Sequence, residues 1–140
     1  MIKSEEKIQF AVIGGGVIGG GWVARFLLMG FDVKVFDPDP EAERKINQVI
    51  ENARRSLPGL FEYLLPDEGS LMLCSNIEET VEDVQWICEA IPERLNLKQE
   101  AFAEIQAHCS MDAIIASSTS GFKPSELQFM SSNPEQIIVA

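Results

Sequence analysis

Residues 8–37 read IQFAVIGGGVIGGGWVARFLLMGFDVKVFD. An apolar run leads into Gly14-x-Gly16-x-x-Gly19, an amphipathic stretch follows, and a second apolar run ends in Asp37. A bare glycine pattern says little. Set between a strand and a helix, and closed by an acid about 20 residues later, it is the dinucleotide-binding fingerprint.

Each part of the segment has a physical task. Ile8, Phe10, Ala11, Val12 and Ile13 form the near-continuous apolar run of a parallel strand buried on both faces. Gly14 permits the tight turn, Gly16 lets a pyrophosphate approach the backbone, and Gly19 allows the helix to close on the strand. Gly15, Val17 and Ile18 complete the loop. The helix starting near Val17 directs its free N–H groups and positive end at the phosphates. Val23, Phe26 and Leu27 recur at helical spacing, and Gly30 stops the helix. Phe31, Val33, Val35 and Phe36 make the second strand. Asp37 at its end can accept both ribose hydroxyl protons. A 2′-phosphate there would meet a like charge, and Pro38-Asp39-Pro40 supplies no Arg to receive it. The segment therefore favours NAD over NADP, while FAD shares the fingerprint.

The remaining chain alternates strand and helix. A helix is expected from Pro40 to about Leu57, broken by Pro58–Gly59, with a short helix or packed turn and then a loop over 60–70. A strand follows at Leu71–Cys74, then a brief helix capped by Ser75 or Asn76. A strand at Val84–Ile91, a helix from Leu95 to about Cys109 and a strand at Ala113–Ala116 come next. A short helix at Pro124–Met130 precedes a last strand at Gln136–Ala140. Such alternation predicts an α/β fold, a doubly wound parallel sheet in three α/β/α layers. The 140 residues make one domain, 46% hydrophobic and 24% charged, as in ordinary globular proteins. The net charge of −11 argues against nucleic acid and anionic membrane surfaces. MIKSEEK has no hydrophobic signal core, and no apolar run spans a bilayer. Cys74, Cys88 and Cys109 have no metal spacing and read as small buried or half-buried side chains, so no metal is expected and a reduced, cytoplasmic setting fits.

In such sheets ligands bind beyond the carboxyl ends of the strands. Three segments lie there: the glycine loop, Pro92-Glu93-Arg94, and Ser117-Ser118-Thr119-Ser120-Gly121. Glu89 and Glu93 interrupt or follow an apolar strand. Glu93 is set for either a nicotinamide ribose or compensation of helix-terminal charge. Lys98, one turn into the following helix, is set for either the site or solvent. The hydroxyl cluster suits either capping or ligand binding. His108, the single histidine, falls near the far end of its helix, opposite this edge. The chain thus offers a cofactor cradle without a convincing general base.

The fingerprint, the Pro92-Glu93-Arg94-x-x-x-Lys98 segment and SSTSG, in this order, resemble the 3-hydroxyacyl-CoA dehydrogenase family, with its Rossmann NAD-binding domain, over essentially the whole chain. Within it, ICEAIPERLNLKQE and ASSTSG are most similar to the branch acting on L-carnitine, with L-gulonate dehydrogenases close by. The resemblance implies that Gly14, Gly15, Gly16, Val17, Ile18 and Gly19 bind the pyrophosphate and Asp37 the adenosine ribose. It assigns Glu93 and Lys98 to the nicotinamide half and counts Pro92 and Ser118 among the cofactor-binding residues. Ser120 matches the serine that hydrogen-bonds the substrate's 3-oxygen, a catalytic role. The family's catalytic His opens an HPxNP segment directly after the strand read here as QIIVA. The expectation is an N-terminal domain, 1–140, of a longer, homodimeric enzyme whose helical domain lies elsewhere. The complete enzyme would oxidise a small 3-hydroxy acid, L-carnitine to 3-dehydrocarnitine, with 3-hydroxybutyryl-CoA or L-gulonate as alternative substrates. ENARRSLPGLFEY stands where acyl-CoA members carry a lysine-rich run, which disfavours a CoA thioester. A cofactor-binding module without activity of its own is the alternative reading.

Overall fold

The first strand, β1, is Gln9–Ile13, and its central residues Ala11 and Val12 have no exposed surface. Apolar side chains on both faces leave such a strand nowhere but the middle of a sheet. The computed structural model describes residues 8–140, and the MIKSEEK segment lies outside them. After β1 come α1 (Val17–Leu28), β2 (Asp32–Phe36), α2 (Ala42–Ser56), β3 (Leu71–Leu73), α3 (Ile77–Val81), β4 (Trp86–Glu89), α4 (Leu95–His108), β5 (Ile114–Ser117), α5 (Pro124–Leu127) and β6 (Ile137–Val139).

All strand pairs are parallel, in the order β3-β2-β1-β4-β5-β6. The order reverses direction between β1 and β4, and this opens a crevice over their carboxyl ends. Strand alternation splits the core into two layers. Val12, Val33 and Val35 pack with Val23 and Leu27 of α1 and Ile46 and Ile50 of α2. Ala11, Ile13, Ile87 and Ile115 pack with Val81, Phe102, Ile105 and Leu127 on the opposite face. The expected three-layer, doubly wound sheet is therefore present.

Element ends depart from the sequence reading in a few places. Residues 61–70 contain no helix; a 3-10 turn at Pro58–Leu60 gives way to a loop that the Gly69 N–H anchors to the Leu27 carbonyl at 2.9 Å. The strands at 84–91 and 136–140 shorten to their paired centres. The last short helix stops at Leu127 rather than Met130, and Met130 has a left-handed φ of 65°. Asn76, not Ser75, caps α3, its side-chain oxygen accepting the Glu79 N–H at 2.8 Å. Burial pushes the Cys88 thiol up to about 11, which fits an inert core side chain. No helix among the described residues is long and apolar enough to cross a membrane.

Candidate dinucleotide site

The loop between β1 and α1 is shaped by backbone contacts. Gly14 has φ of 103°, and a Cβ there would stand 2.5 Å from the Ala90 carbonyl oxygen on β4's exit. A Cβ at Gly19 would lie 1.7 Å from the Gly14 carbonyl oxygen, so only glycine lets α1 start this close to β1. Gly16 differs: nothing of the protein lies within 4 Å of a Cβ built there. It is the N-cap of α1, with no side-chain cap and no acid in the first turn. The N–H groups of that first turn have no intrahelical acceptor, which leaves them for an anion at this open loop. Val17 and Ile18, 87% and 59% exposed, project beside it.

Asp37 closes the other side. Its Oδ2 accepts the Gly15 N–H at 2.6 Å and its Oδ1 the Asp39 N–H at 2.7 Å. A hollow of about 510 Å³ runs from Gly14 and Gly16 past Asp37 and Pro38 to Ile77, Ile91, Leu97 and Ala101. Apolar walls, a rim carboxylate and an uncapped helix end suit, in order, a flat base, a ribose and a pyrophosphate. These residues fit a dinucleotide. A second hollow, about 550 Å³, lies at the amino edge by Gln9, Asp83, Gln85, Ser110 and Asp112, away from every fingerprint residue.

The exits of β4 and β5 form the far end of the crevice. Glu89, 0% exposed, ends β4. Its Oε2 accepts from Lys98 Nζ at 2.7 Å and from the Ile91 N–H at 2.8 Å, and its Oε1 accepts the Ser117 hydroxyl at 2.5 Å. Lys98 is 1% exposed and also donates to the Ile91 carbonyl at 3.2 Å. The solvated alternative for Lys98 is thus wrong: one turn into α4, it points into the protein to neutralise Glu89. Glu93 accepts from the Thr119 hydroxyl and, at 3.4 Å, from the Ser120 N–H. The Thr119 hydroxyl holds the Glu93 carboxyl below the usual glutamate range. Pro92 lines the hollow. The Ser118 hydroxyl accepts the Trp22 Nε1–H at 3.0 Å, and Ser120 is exposed beside it.

The glycine loop, Asp37, Glu93, Ser118 and Ser120 therefore share one edge of the sheet. His108 does not: it ends α4 with its Nδ1 4.0 Å from Glu78. The sequence reading missed Trp22, whose partner lies 96 residues away.

The family described as "3-hydroxyacyl-CoA dehydrogenase, NAD binding domain" matches residues 9–140. The chain belongs to this family. Its NAD-binding fold thus rests on the match as well as on the sheet. The chain is 60% identical over 129 residues to an L-carnitine dehydrogenase/betainyl-CoA thioesterase of Ruegeria pomeroyi, covering 92% of the chain and 26% of the relative. It is 52% identical over 130 residues to an L-carnitine dehydrogenase of Mesorhizobium japonicum, covering 92% and 36%. The chain thus spans between a quarter and two fifths of these relatives' length. Among solved structures, a 5-formyl-3-hydroxy-2-methylpyridine 4-carboxylic acid 5-dehydrogenase, an NAD-dependent dismutase, superposes with a TM-score of 0.84 at 28% identity, covering 96% of this chain and 44% of that one. The 3-hydroxybutyryl-CoA dehydrogenase of Escherichia coli K12 shares the fold, with a TM-score of 0.78 at 21% identity, covering 96% and 29%.

Proposed function

We propose that residues 1–140 are the cofactor-binding part of an NAD-dependent 3-hydroxy-acid dehydrogenase, with L-carnitine as substrate and 3-dehydrocarnitine as product. The observation that carries this reading is the shared sheet edge, where the Gly16 opening and Asp37 lie at one end and Glu93 and Ser120 at the other. The substrate assignment is supported by the similarity to L-carnitine dehydrogenases at 60% and 52% identity.

In this reading Gly14–Gly19 hold the pyrophosphate with backbone N–H groups, and Asp37 accepts the adenosine ribose hydroxyls. Glu93, with Pro92, Lys98 and Ser118 around it, serves the nicotinamide half. NAD bound there supplies the hydride acceptor for C3 of the substrate. Ser120, exposed at the end of β5, hydrogen-bonds the 3-oxygen and orients it. The proton on that oxygen needs a base, and no histidine stands near Ser120 in this chain. The 140 residues therefore bind NAD without completing turnover. The whole enzyme is proposed to be a cytoplasmic homodimer that acts on a free small molecule.

The test compares L-carnitine, L-gulonate and 3-hydroxybutyryl-CoA as substrates of the full-length enzyme. Preference for L-carnitine is expected, and a strong preference for the thioester would overturn the substrate assignment. Turnover of L-carnitine by the 140-residue chain would overturn its role as a non-catalytic part.

A further inference from the structure

Glu89 is a buried acid that the proposed chemistry does not use. Its carboxylate has three partners, two side chains and one backbone N–H, from three segments: Lys98 on α4, the Ile91 N–H after β4, and Ser117 at the end of β5. Its own carbonyl accepts the Ser118 N–H at 2.9 Å. The Ser117 hydroxyl, in turn, accepts the Thr119 N–H at 3.3 Å. Among the described residues no buried side-chain N or O lacks a hydrogen-bond partner. A fully satisfied buried network is rigid, whereas an ion pair at this depth adds little net stability over a packed apolar pair.

The network sits at the roots of the two loops that carry the proposed nicotinamide-side residues. Glu93 follows Ile91 by two residues, and Ser118 and Ser120 follow Ser117 by one and three. The Thr119–Glu93 and Ser120–Glu93 bonds then join the two loops above the network. Ser118 reports on the arrangement, because its hydroxyl meets the Trp22 indole on α1.

We infer that Glu89 is a positioning residue. Through Lys98 and Ser117 its carboxylate fixes the two loops after β4 and β5 in one relative register, and so presets the nicotinamide end of the crevice before any nucleotide enters. The glycine loop and Asp37, on β1, α1 and β2, have no bond to the network, and the apolar hollow beside them touches it at Ile91 alone. The nucleotide arm of the test rests on the NAD reading above; the spectroscopic arm does not.

The variants are Glu89→Leu/Lys98→Met, which removes both buried charges together, and Ser117→Ala, which removes one hydroxyl and leaves the ion pair. Glu89→Gln alone would leave the buried Lys98 ammonium without a counter-charge. Nucleotide-free 1H–15N spectra follow the Trp22 indole N–H, assigned with Trp22→Phe. In both variants this resonance shifts or broadens. NADH, titrated by fluorescence, binds about 10-fold more weakly or worse to the double variant and also more weakly to Ser117→Ala, which keeps Lys98, while ADP, which ends at the pyrophosphate, loses clearly less than NADH in each. An unmoved Trp22 resonance in both variants overturns the inference. So does an equal loss of NADH and ADP affinity, which would make the network a plain stability element. A loss of NADH affinity with an unmoved indole would assign the effect to Lys98 touching the nucleotide and also contradicts positioning. If the unaltered chain binds neither NADH nor ADP, the cofactor reading fails, and the indole resonance still decides the role of Glu89.

Discussion

Asp37 accepts the backbone N–H of Gly15 at 2.6 Å, which ties the end of β2 to the phosphate loop 22 residues earlier. One carboxylate thus shapes the loop and is the proposed acceptor for the ribose hydroxyls. Asp37→Ala removes an acceptor worth about 1.5–3 kcal/mol when it serves a charge-assisted bond. NADH binding to this variant should weaken by about 10- to 100-fold in a fluorescence titration. Affinity equal to that of the unaltered chain would count against Asp37 as the ribose ligand.

Two glycines of one loop should behave differently. Gly19→Ala drives a methyl to within 1.7 Å of the Gly14 carbonyl oxygen, so the loop must rebuild or α1 must withdraw. The thermal midpoint should fall sharply, as expected for a cost of about 3 kcal/mol or more. Gly16→Ala meets no protein atom within 4 Å. It should change stability by only about 1 kcal/mol, the scale of an N-cap exchange, yet weaken NADH binding strongly. Equal thermal losses in the two variants would contradict the division of roles.

Glu93 contributes to the pH dependence in the acid range. Its folded-state carboxyl is held low by the Thr119 hydroxyl, against its ordinary value of about 4.3 in the unfolded chain. Its contribution to stability is therefore complete above that ordinary value and is lost as pH falls through the lowered one. Thr119→Val should flatten the acid limb of the stability profile while leaving the profile near neutrality parallel to the original. Glu93 is exposed, so the effect is small. Unfolding followed by circular dichroism across the acid range measures it, and an identical acid limb would refute it.

His108 stands apart from this edge. His108→Gln should leave NADH affinity within about 2-fold of the original, a difference under about 0.5 kcal/mol. A larger loss by the same titration would show that the far end of α4 reaches the cofactor.

The fold was legible where local pattern and global position agree. The run Phe10–Ile13, the glycine loop and Asp37 carry their roles within one βαβ unit, and the sheet places them where that pattern requires. The alternation downstream gave the remaining strands in order. Boundaries were less legible, since a strand ends where its partner ends. Val84 and Ile91 are apolar, yet the paired segment is Trp86–Glu89. The network behind the site was the least legible part. Lys98 at a helix's first turn reads equally as solvated, and nothing near it in sequence announces Glu89 as its partner. Trp22 and Ser118 are 96 residues apart, a contact that only the parallel crossovers create. Long-range polar pairs leave no periodic trace, whereas buried faces do.

Binding of NAD through the glycine loop and Asp37 underlies every role proposed for this chain. Fluorescence titration of the 140-residue chain with NADH and NADPH tests it most directly. Saturable binding of NADH, with NADPH weaker by about 10-fold or more because its 2′-phosphate meets Asp37, is the predicted result. No saturable binding of NADH, or equal affinity for the two, would contradict it.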